Sequence, residues 1–218
     1  MKIVALVPVK LDNERLPGKN TKKFDNGQPL IHYILDTLGR VERCKEVYVY
    51  CSDEHVKEYL PVGVMFMKRD PAFDLPNCNS MDISRSFACL VDADIYIYTH
   101  ATAPFVSTES INKGLDAVAS GEHDSAFSVQ EKHAFMWVDG KPNYDPECIP
   151  RTQDMKPFYI ESCGFWIYTH GVIHKYGRRI GFNPALIPVS EIEALDIDEK
   201  IDFDIANAVY NYVILPSN

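Results

Sequence analysis

Residues 3–20 read IVALVPVKLDNERLPGKN, and this stretch decides the predicted fold. The continuous apolar run at residues 3–7 is typical of a central strand that is covered on both faces of its sheet. Pro8 ends the run, and a polar loop of about a dozen residues follows it. Ligands of doubly wound sheets bind outside the carboxyl ends of the strands, so we expect a phosphate-bearing ligand at this loop.

Strand-like and helix-like segments alternate along the rest of the chain. A helix is expected to open at Pro29, and further strands are predicted at residues 47–51, 62–67, 95–99 and 165–168. Further helices are predicted at about 83–91 and 110–119, and a last one buries Phe203, Ala206, Val209 and Val213. This order predicts an α/β fold with a central, mostly parallel sheet flanked by helices. The length of 218 residues fits a single domain, residues 1–218.

Residues 130–160 depart from this pattern, because four prolines interrupt them. Asp139-Gly140 predicts a tight hairpin turn within the segment. The apolar side chains of Phe135, Met136 and Trp137 are unusual for a simple connection. We therefore expect a small β-rich arm that forms a homodimer contact.

The composition of the chain indicates where the protein is located and which classes of partner it binds. A net charge of −9 argues against nucleic acid, which is held by a surplus of Lys and Arg. No stretch approaches the ~20 apolar residues that span a bilayer, and no signal peptide is recognisable. The six cysteines show no Cys-x-x-Cys spacing, which is typical of reduced thiols. We expect a soluble, cytoplasmic protein that contacts neither membrane nor nucleic acid.

The first loop carries the residue types that bind phosphate. Lys10, Arg15 and Lys19 can meet a triphosphate, and Gly18 allows its backbone to approach closely. A solvated surface loop remains the alternative for any Lys-rich segment. Neither the Walker pattern nor Gly-x-Gly-x-x-Gly occurs, which disfavours P-loop enzymes and dinucleotide dehydrogenases.

The same loop resembles the N-terminal signature of the acylneuraminate cytidylyltransferase (CMP-sialic acid synthetase-like) family, A-R-G-G-S-K-R-x-P-G-K-N. The positions that match it are Arg15, Pro17, Gly18, Lys19 and Asn20. Lys10 replaces the first Arg of the signature, and Glu14 stands where the family has Lys. KDO cytidylyltransferases share R-L-P-G-K but usually continue with Pro, so Asn20 favours the neuraminate branch.

Further blocks follow in the order of the family. Arg69 with Pro71 and Ala72 resembles its R-P-A segment, although Asp70 is inserted. Ser80 stands at the position of a family residue whose hydroxyl contacts cytosine. Thr102 matches the family's Q-P-T-S-P segment, in which His100 replaces a nucleotide-contacting Gln. The CTP-binding residues that the resemblance implies are Lys10, Arg15, Lys19, Asn20, Arg69, Ser80 and Thr102. The alternative for such scattered polar residues is an ordinary role in turns and helix caps.

A fourth block resembles the family's R-x-Q-D…P-x-Y-x-E-N-G segment, which positions the sugar acid. Ser162-Cys163 replaces the Asn that usually precedes Gly164. The implied sugar-binding residues are Arg151, Gln153, Tyr159 and Glu161.

Asp196-Ile197-Asp198, with Asp202-Phe203 after it, is the strongest single feature. Residues two apart on an extended segment project to the same side, so the first two carboxylates can converge on a cation such as Mg²⁺. Helix capping by Asp198 is the alternative. The match to the family's D-I-D-T-x-x-D-F motif favours Mg²⁺ as the cofactor, held by Asp196 and Asp198.

The resemblance implies a Rossmann-like nucleotidyltransferase fold and transfer of CMP from CTP to a nonulosonic 2-keto sugar acid. Lys19 and Asp198 are the expected catalytic residues, and no general base is assigned. Two alternatives stay open: KDO or another keto acid as the acceptor, and a nucleotide-binding member without turnover. The departures at Lys10, Glu14 and His100 motivate the second.

His170 and His174 lie four residues apart on a predicted helix and form half of a zinc site. No further Cys, His or carboxylate follows at ligand spacing, so the sequence disfavours zinc.

Overall fold

The computed structural model describes residues 1–217. Nine strands occur in this part of the chain: β1 (Ile3–Val9), β2 (Glu46–Cys51), β3 (Val64–Lys68), β4 (Ile95–Thr99), β5 (Ser125–Lys132), β6 (Trp137–Val138), β7 (Lys141–Pro142), β8 (Phe158–Thr169) and β9 (Pro184–Pro188). Five α-helices accompany them: α1 (Leu30–Gly39), α2 (Ser80–Leu90), α3 (Thr108–Ala119), α4 (His170–Tyr176) and α5 (Lys200–Val209).

Seven strands form the central sheet in the order β3-β2-β1-β4-β8-β5-β9. Every neighbouring pair is parallel except the two that involve β8, which runs against β4 and β5. The predicted α/β fold with a mostly parallel sheet is confirmed. The carboxyl ends of β1, β3 and β4 consequently meet at one edge, and their loops form one surface.

Side chains of β1 alternate between two hydrophobic cores. Ala5 and Val7 pack with α1 and α3 on one face, whereas Val4 and Leu6 pack with α2 and α4 on the other. This two-sided burial explains why residues 3–7 read as a continuous apolar run.

A third, smaller cluster joins the first loop to the last helix. Leu16 and Phe24 are buried there against Ile197 and Phe203. Burial of such side chains removes apolar surface from water and fixes the two distant segments against each other. Residues 15–19 and 196–198 are therefore held side by side.

The structure differs from the sequence predictions in two strands that were not predicted, in the start of β8 at Phe158 and not at Phe165, and at the end of the last helix. Strands β5 and β9 were not predicted, because β5 begins with Ser125 and contains Ser128, and β9 begins and ends with proline. Val213 was predicted to be buried, but the helix changes to a π-helical turn at Tyr210–Ile214 and Val213 is exposed. The predicted hairpin at Asp139-Gly140 is confirmed, with both residues at positive φ.

In the described part of the chain, none of the helices has both the length and the apolar character that crossing a bilayer requires.

Candidate active site

A cleft of about 330 Å³ opens at the carboxyl edge of the sheet. It lies over the ends of β1 and β4 and is bordered by the turn after β3. Six of the seven predicted nucleotide-binding residues line it: Lys10, Lys19, Asn20, Arg69, Ser80 and Thr102. The structure therefore brings together residues that lie up to 92 positions apart in the sequence.

The first loop is shaped by Gly18, which adopts a left-handed conformation with φ of 65° before the 3-10 turn Lys19–Thr21. This turn carries Lys19 inward, where the residue is only 8% exposed. Lys19 Nζ donates to the carbonyl oxygen of Ile197 at 2.7 Å and lies 3.3 Å from Asp198 Oδ1. Asn20 Nδ2 donates to the carbonyl oxygen of Lys10 at 2.7 Å, which closes the loop on itself.

Arg15 does not line the cleft but pairs with Asp198, at 2.7 Å between Nη2 and Oδ1. Asp198 thus faces two cations from the first loop. Its own backbone N–H donates to Asp202 Oδ2 at 3.0 Å, and the N-cap of α5 is Glu199, which forms a capping box with Asp202. The alternative role of Asp198 as a helix cap is not what the structure shows.

Arg69 is almost fully buried behind the cleft, with 2% of the residue exposed. Its guanidinium donates to the carbonyl oxygen of Val9 at 3.0 Å and pairs with Asp74. Nε of Arg69 has no hydrogen-bond partner in the described structure. Lys10 Nζ donates to the carbonyl oxygen of Asp74 at 2.9 Å, so Asp74 organises both cations.

Arg179 was missed by the sequence analysis, although its guanidinium reaches the site from the loop after α4. It stacks on Trp166, with 3.7 Å from Cζ to the ring centroid, and donates to Ser80 Oγ at 2.9 Å. It also lies 3.6 Å from Glu161 Oε1, which accepts a hydrogen bond of 2.8 Å from Trp166 Nε1. Arg179 therefore links the predicted cytosine reader Ser80 to the predicted sugar-binding residue Glu161.

Asp196 is half-buried and interacts with two half-buried side chains, Cys163 and His100. Its Oδ1 is buried and has no hydrogen-bond partner among the described residues. Burial raises the pKa of the neighbouring Cys163 thiol to about 12, and the Asp196 carboxylate adds to this shift. Burial also lowers the pKa of His100 to about 4, because it penalises the charged imidazolium more than Asp196 stabilises it. His100 is therefore neutral at pH 7, and its Nε2 lies 3.2 Å from the hydroxyl of Tyr98.

The predicted sugar-binding residues are not gathered in one place. Arg151 and Gln153 are exposed at the 3-10 turn Thr152–Asp154, where Arg151 pairs with Asp154 at 2.7 Å. Tyr159 is exposed on β8, and its pKa is raised by a hydrogen bond to Glu131. Only Glu161 lies beside the cleft, through its contact with Arg179.

Asp196 and Asp198 are not among the residues that line the cleft, but their carboxylates are the ligand type that a magnesium ion prefers. An orphaned, buried carboxylate oxygen is unfavourable without a donor or a cation beside it. Mg²⁺ typically takes one or two protein carboxylates and completes its shell with water and substrate phosphates, so a pair of aspartates has the right number and type of ligands.

The fold and the cleft define the chain as a nucleotidyltransferase-like α/β protein. A sequence profile described as cytidylyltransferase matches residues 4–204, and the chain belongs to that family. Over 97% of this chain and 99% of the other, the structure superposes at a TM-score of 0.71 on CMP:2-keto-3-deoxy-manno-octonic acid synthetase complexed with CTP. The identity between those two chains is 16%, so this likeness supports the fold alone.

Two relatives of this chain have names that specify different sugar acids. N-acylneuraminate cytidylyltransferase of Oncorhynchus mykiss is 26% identical over 94% of this chain. The alignment covers 49% of that protein, so the chain spans about half the length of this relative. 8-amino-3,8-dideoxy-manno-octulosonate cytidylyltransferase of Shewanella halifaxensis is 24% identical over 92% of this chain and 85% of its own length.

Proposed function

We propose that the protein transfers CMP from CTP to the anomeric hydroxyl of a sialic acid-like, nonulosonic 2-keto sugar acid and releases pyrophosphate. The observation that carries the proposal is the cationic cleft of an acidic protein. Lys10, Lys19 and Arg69 line it, whereas Asp74 is its one carboxylate among the described lining residues. Such a concentration of positive charge in a chain of net charge −9 suits a polyanion as small as a triphosphate.

In the proposed reaction the sugar hydroxyl oxygen bonds to the α-phosphorus of CTP, the bond to the bridging oxygen breaks, and pyrophosphate leaves. The hydroxyl proton passes to solvent or to a base that we leave unassigned. Catalysis then consists mainly of positioning and of charge neutralisation. Lys19 is pre-positioned for this role, because its amino group is held by Ile197 and is nearly removed from solvent.

Arg15, which is exposed and now contacts Asp198, would exchange that partner for phosphate oxygens when CTP binds. Lys19 would keep its hydrogen bond to Ile197 and contact phosphate from its present position. The proposed cofactor is Mg²⁺, held by Asp196 and Asp198, and when bound it neutralises charge on the α-phosphate and on the leaving group.

The acceptor is the least constrained part of the proposal. The Oncorhynchus mykiss relative and the Asn20 match favour an acylneuraminate-like acid, and the Shewanella halifaxensis relative favours an octulosonate. Pyrophosphate release should be measured with CTP, Mg²⁺ and a panel of both acid types. Release with a nonulosonic acid supports the first assignment, and release with octulosonates alone supports the second. Release with no member of the panel would favour nucleotide binding without turnover.

We also propose that residues 130–160 form a homodimer contact beside the sugar site. Phe135 and Trp137 are 45% and 62% exposed there, and β6 and β7 make a hairpin separate from the main sheet. Arg151 and Gln153 would approach the sugar if a second subunit closed this region. Light scattering at micromolar concentration should give a dimer mass, and a monomer mass would contradict the contact.

A further inference from the structure

A second cluster of chemistry-bearing side chains lies far from the cleft. His170 and His174 lie on one side of α4, and Asp92, which follows α2, is brought to them from 78 positions earlier in the chain. One ligand atom from each residue lies within 4.8 Å of the other two. The sequence disfavoured zinc because no third ligand lies near the two histidines along the chain. The fold brings Asp92 beside them as a third candidate ligand.

We propose that Asp92, His170 and His174 form a surface site for Zn²⁺ or a similar imidazole-preferring divalent transition metal.

The first argument is the spacing of the ligand atoms. His170 Nε2 lies 3.3 Å from Asp92 Oδ1. Zinc–nitrogen and zinc–oxygen bonds of about 2.0–2.2 Å at a tetrahedral angle place neighbouring ligand atoms about 3.3–3.5 Å apart. These two atoms are therefore already at the separation that two ligands of one metal ion have.

The second argument is the arrangement of the imidazoles. Residues four apart lie on one face of a helix, and the two rings stack with centroids 4.0 Å apart and an interplanar angle of 21°. The stack brings the imidazoles together but leaves their in-plane lone pairs nearly parallel, so one ring must rotate before both coordinate the same ion. Imidazole nitrogen is a ligand that zinc, copper and nickel prefer, whereas Mg²⁺ prefers oxygen. The ligand set thus selects a class of metal different from the one proposed for the cleft.

The third argument is the hydrogen bonding of His174. Its Nε2 lies 3.2 Å from the hydroxyl of Tyr96, which already donates its proton to the carbonyl oxygen of Val91 at 2.9 Å. The contact therefore requires the imidazole to donate from Nε2, which leaves the lone pair of Nδ1 free for a metal. A ring nitrogen held in this way fixes the orientation and the tautomer of a metal-binding histidine.

The site is separate from the proposed chemistry. Ile95 at the start of β4 pairs with Thr169 at the end of β8, immediately before His170. The cleft follows the other end of β4, about 13 Å away along a five-residue strand. A metal there would fasten α4 to the turn between α2 and β4, and it would stabilise the fold without entering the reaction.

Equilibrium dialysis with Zn²⁺ alone tests the site, with Mg²⁺ in parallel. We expect one Zn²⁺ per chain, and at least tenfold weaker binding in Asp92→Asn, His170→Ala and His174→Gln. The matched control is His55→Ala, which removes an exposed histidine paired with Asp53 at 2.9 Å and should bind Zn²⁺ as the wild type does. Asp92 has a side chain 90% exposed, so its variant should fold normally and melt like the wild type in chelator.

Cobalt distinguishes this site from the free cysteines. Co²⁺ bound at the cluster should show no thiolate-to-metal charge-transfer band, because all three ligands are nitrogen or oxygen. The proposal is overturned by absent Zn²⁺ binding, by binding that the three variants leave unchanged, or by a thiolate band in the Co²⁺ complex.

Discussion

Arg15 Nη2 lies 2.7 Å from Asp198 Oδ1, although the two residues are 183 positions apart in the chain. The contact joins the first loop to the segment before the last helix, across the cleft edge where Lys19 also reaches Asp198. Leu16 and Ile197 are buried in the same small cluster beneath it. The cations proposed to bind phosphate and the carboxylate proposed to bind the metal are thus positioned by one buried cluster.

Asp196→Asn and Asp198→Asn should each lower turnover about 10²–10³-fold, because loss of one metal-coordinating charge removes several kcal/mol of transition-state stabilisation. Asp204→Asn is the control, since Asp204 lies on α5 and pairs only with Lys200 among the described residues. Initial rates at limiting Mg²⁺ and melting temperatures separate catalysis from folding. Wild-type rates in either variant would remove that residue from the metal site.

Arg179→Met should raise the KM for CTP about tenfold or more. The substitution keeps apolar contact with Trp166 but removes the hydrogen bond to Ser80 and the charge beside Glu161, and a hydrogen bond to a charged group contributes about 1.5–3 kcal/mol. Arg178→Met is the matched control, because Arg178 donates to Gly181 and lies over Phe182. Steady-state kinetics with both substrates would decide it, and an unchanged KM for CTP would refute the role.

Glu14→Lys should change CTP affinity less than about threefold. Glu14 is exposed and forms no ion pair in the described structure, so its carboxylate lies in solvent. A unit charge at ~6 Å from a phosphate, at an effective dielectric of ~20, would instead contribute about 3 kcal/mol. Titration calorimetry at fixed salt distinguishes the two cases. A tenfold gain in affinity would show that Glu14 repels the triphosphate.

His100 should make the fold less stable in mild acid. Its pKa is about 4 in the folded protein and about 6.5 when unfolded, so the unfolded chain binds more protons between these values. The free energy of unfolding is therefore unaffected by His100 above pH 6.5, and it decreases as the pH falls from 6.5 toward 4.

His100→Gln places an uncharged side chain at this position and should reduce the loss of unfolding free energy between pH 7 and pH 5 by on the order of 1 kcal/mol. Urea denaturation at both pH values measures it, with His32→Gln on α1 as the control. The same pH dependence in His100→Gln and the wild type would contradict the shifted pKa.

The sequence predicted the strands that have continuous apolar runs, and β4 was predicted at its observed bounds. Strands β5 and β9 were missed because serine and proline hide their pattern, although burial on the sheet overrides those propensities. The cleft that gathers six of the seven predicted nucleotide-binding residues could be anticipated, because these residues follow strand ends in the order of the family that the sequence resembles.

Other parts of the site could not be predicted. Arg179 lies in a loop without periodicity, and only the fold places it on Trp166. Asp92 reaches His170 only through the packing of α2 and α4. The contacts Arg179–Trp166 and Asp92–His170 cannot be read from the spacing of residues in the sequence, because both depend on how distant elements pack.

The most direct test of the central claim is ³¹P NMR of CTP, Mg²⁺ and a nonulosonic acid incubated with the protein, with UTP in a parallel sample. The account predicts that CTP is consumed, that one CMP-sugar phosphodiester forms for each pyrophosphate, and that UTP reacts much more slowly. Release of orthophosphate without a phosphodiester, or equal reaction of CTP and UTP, would contradict it.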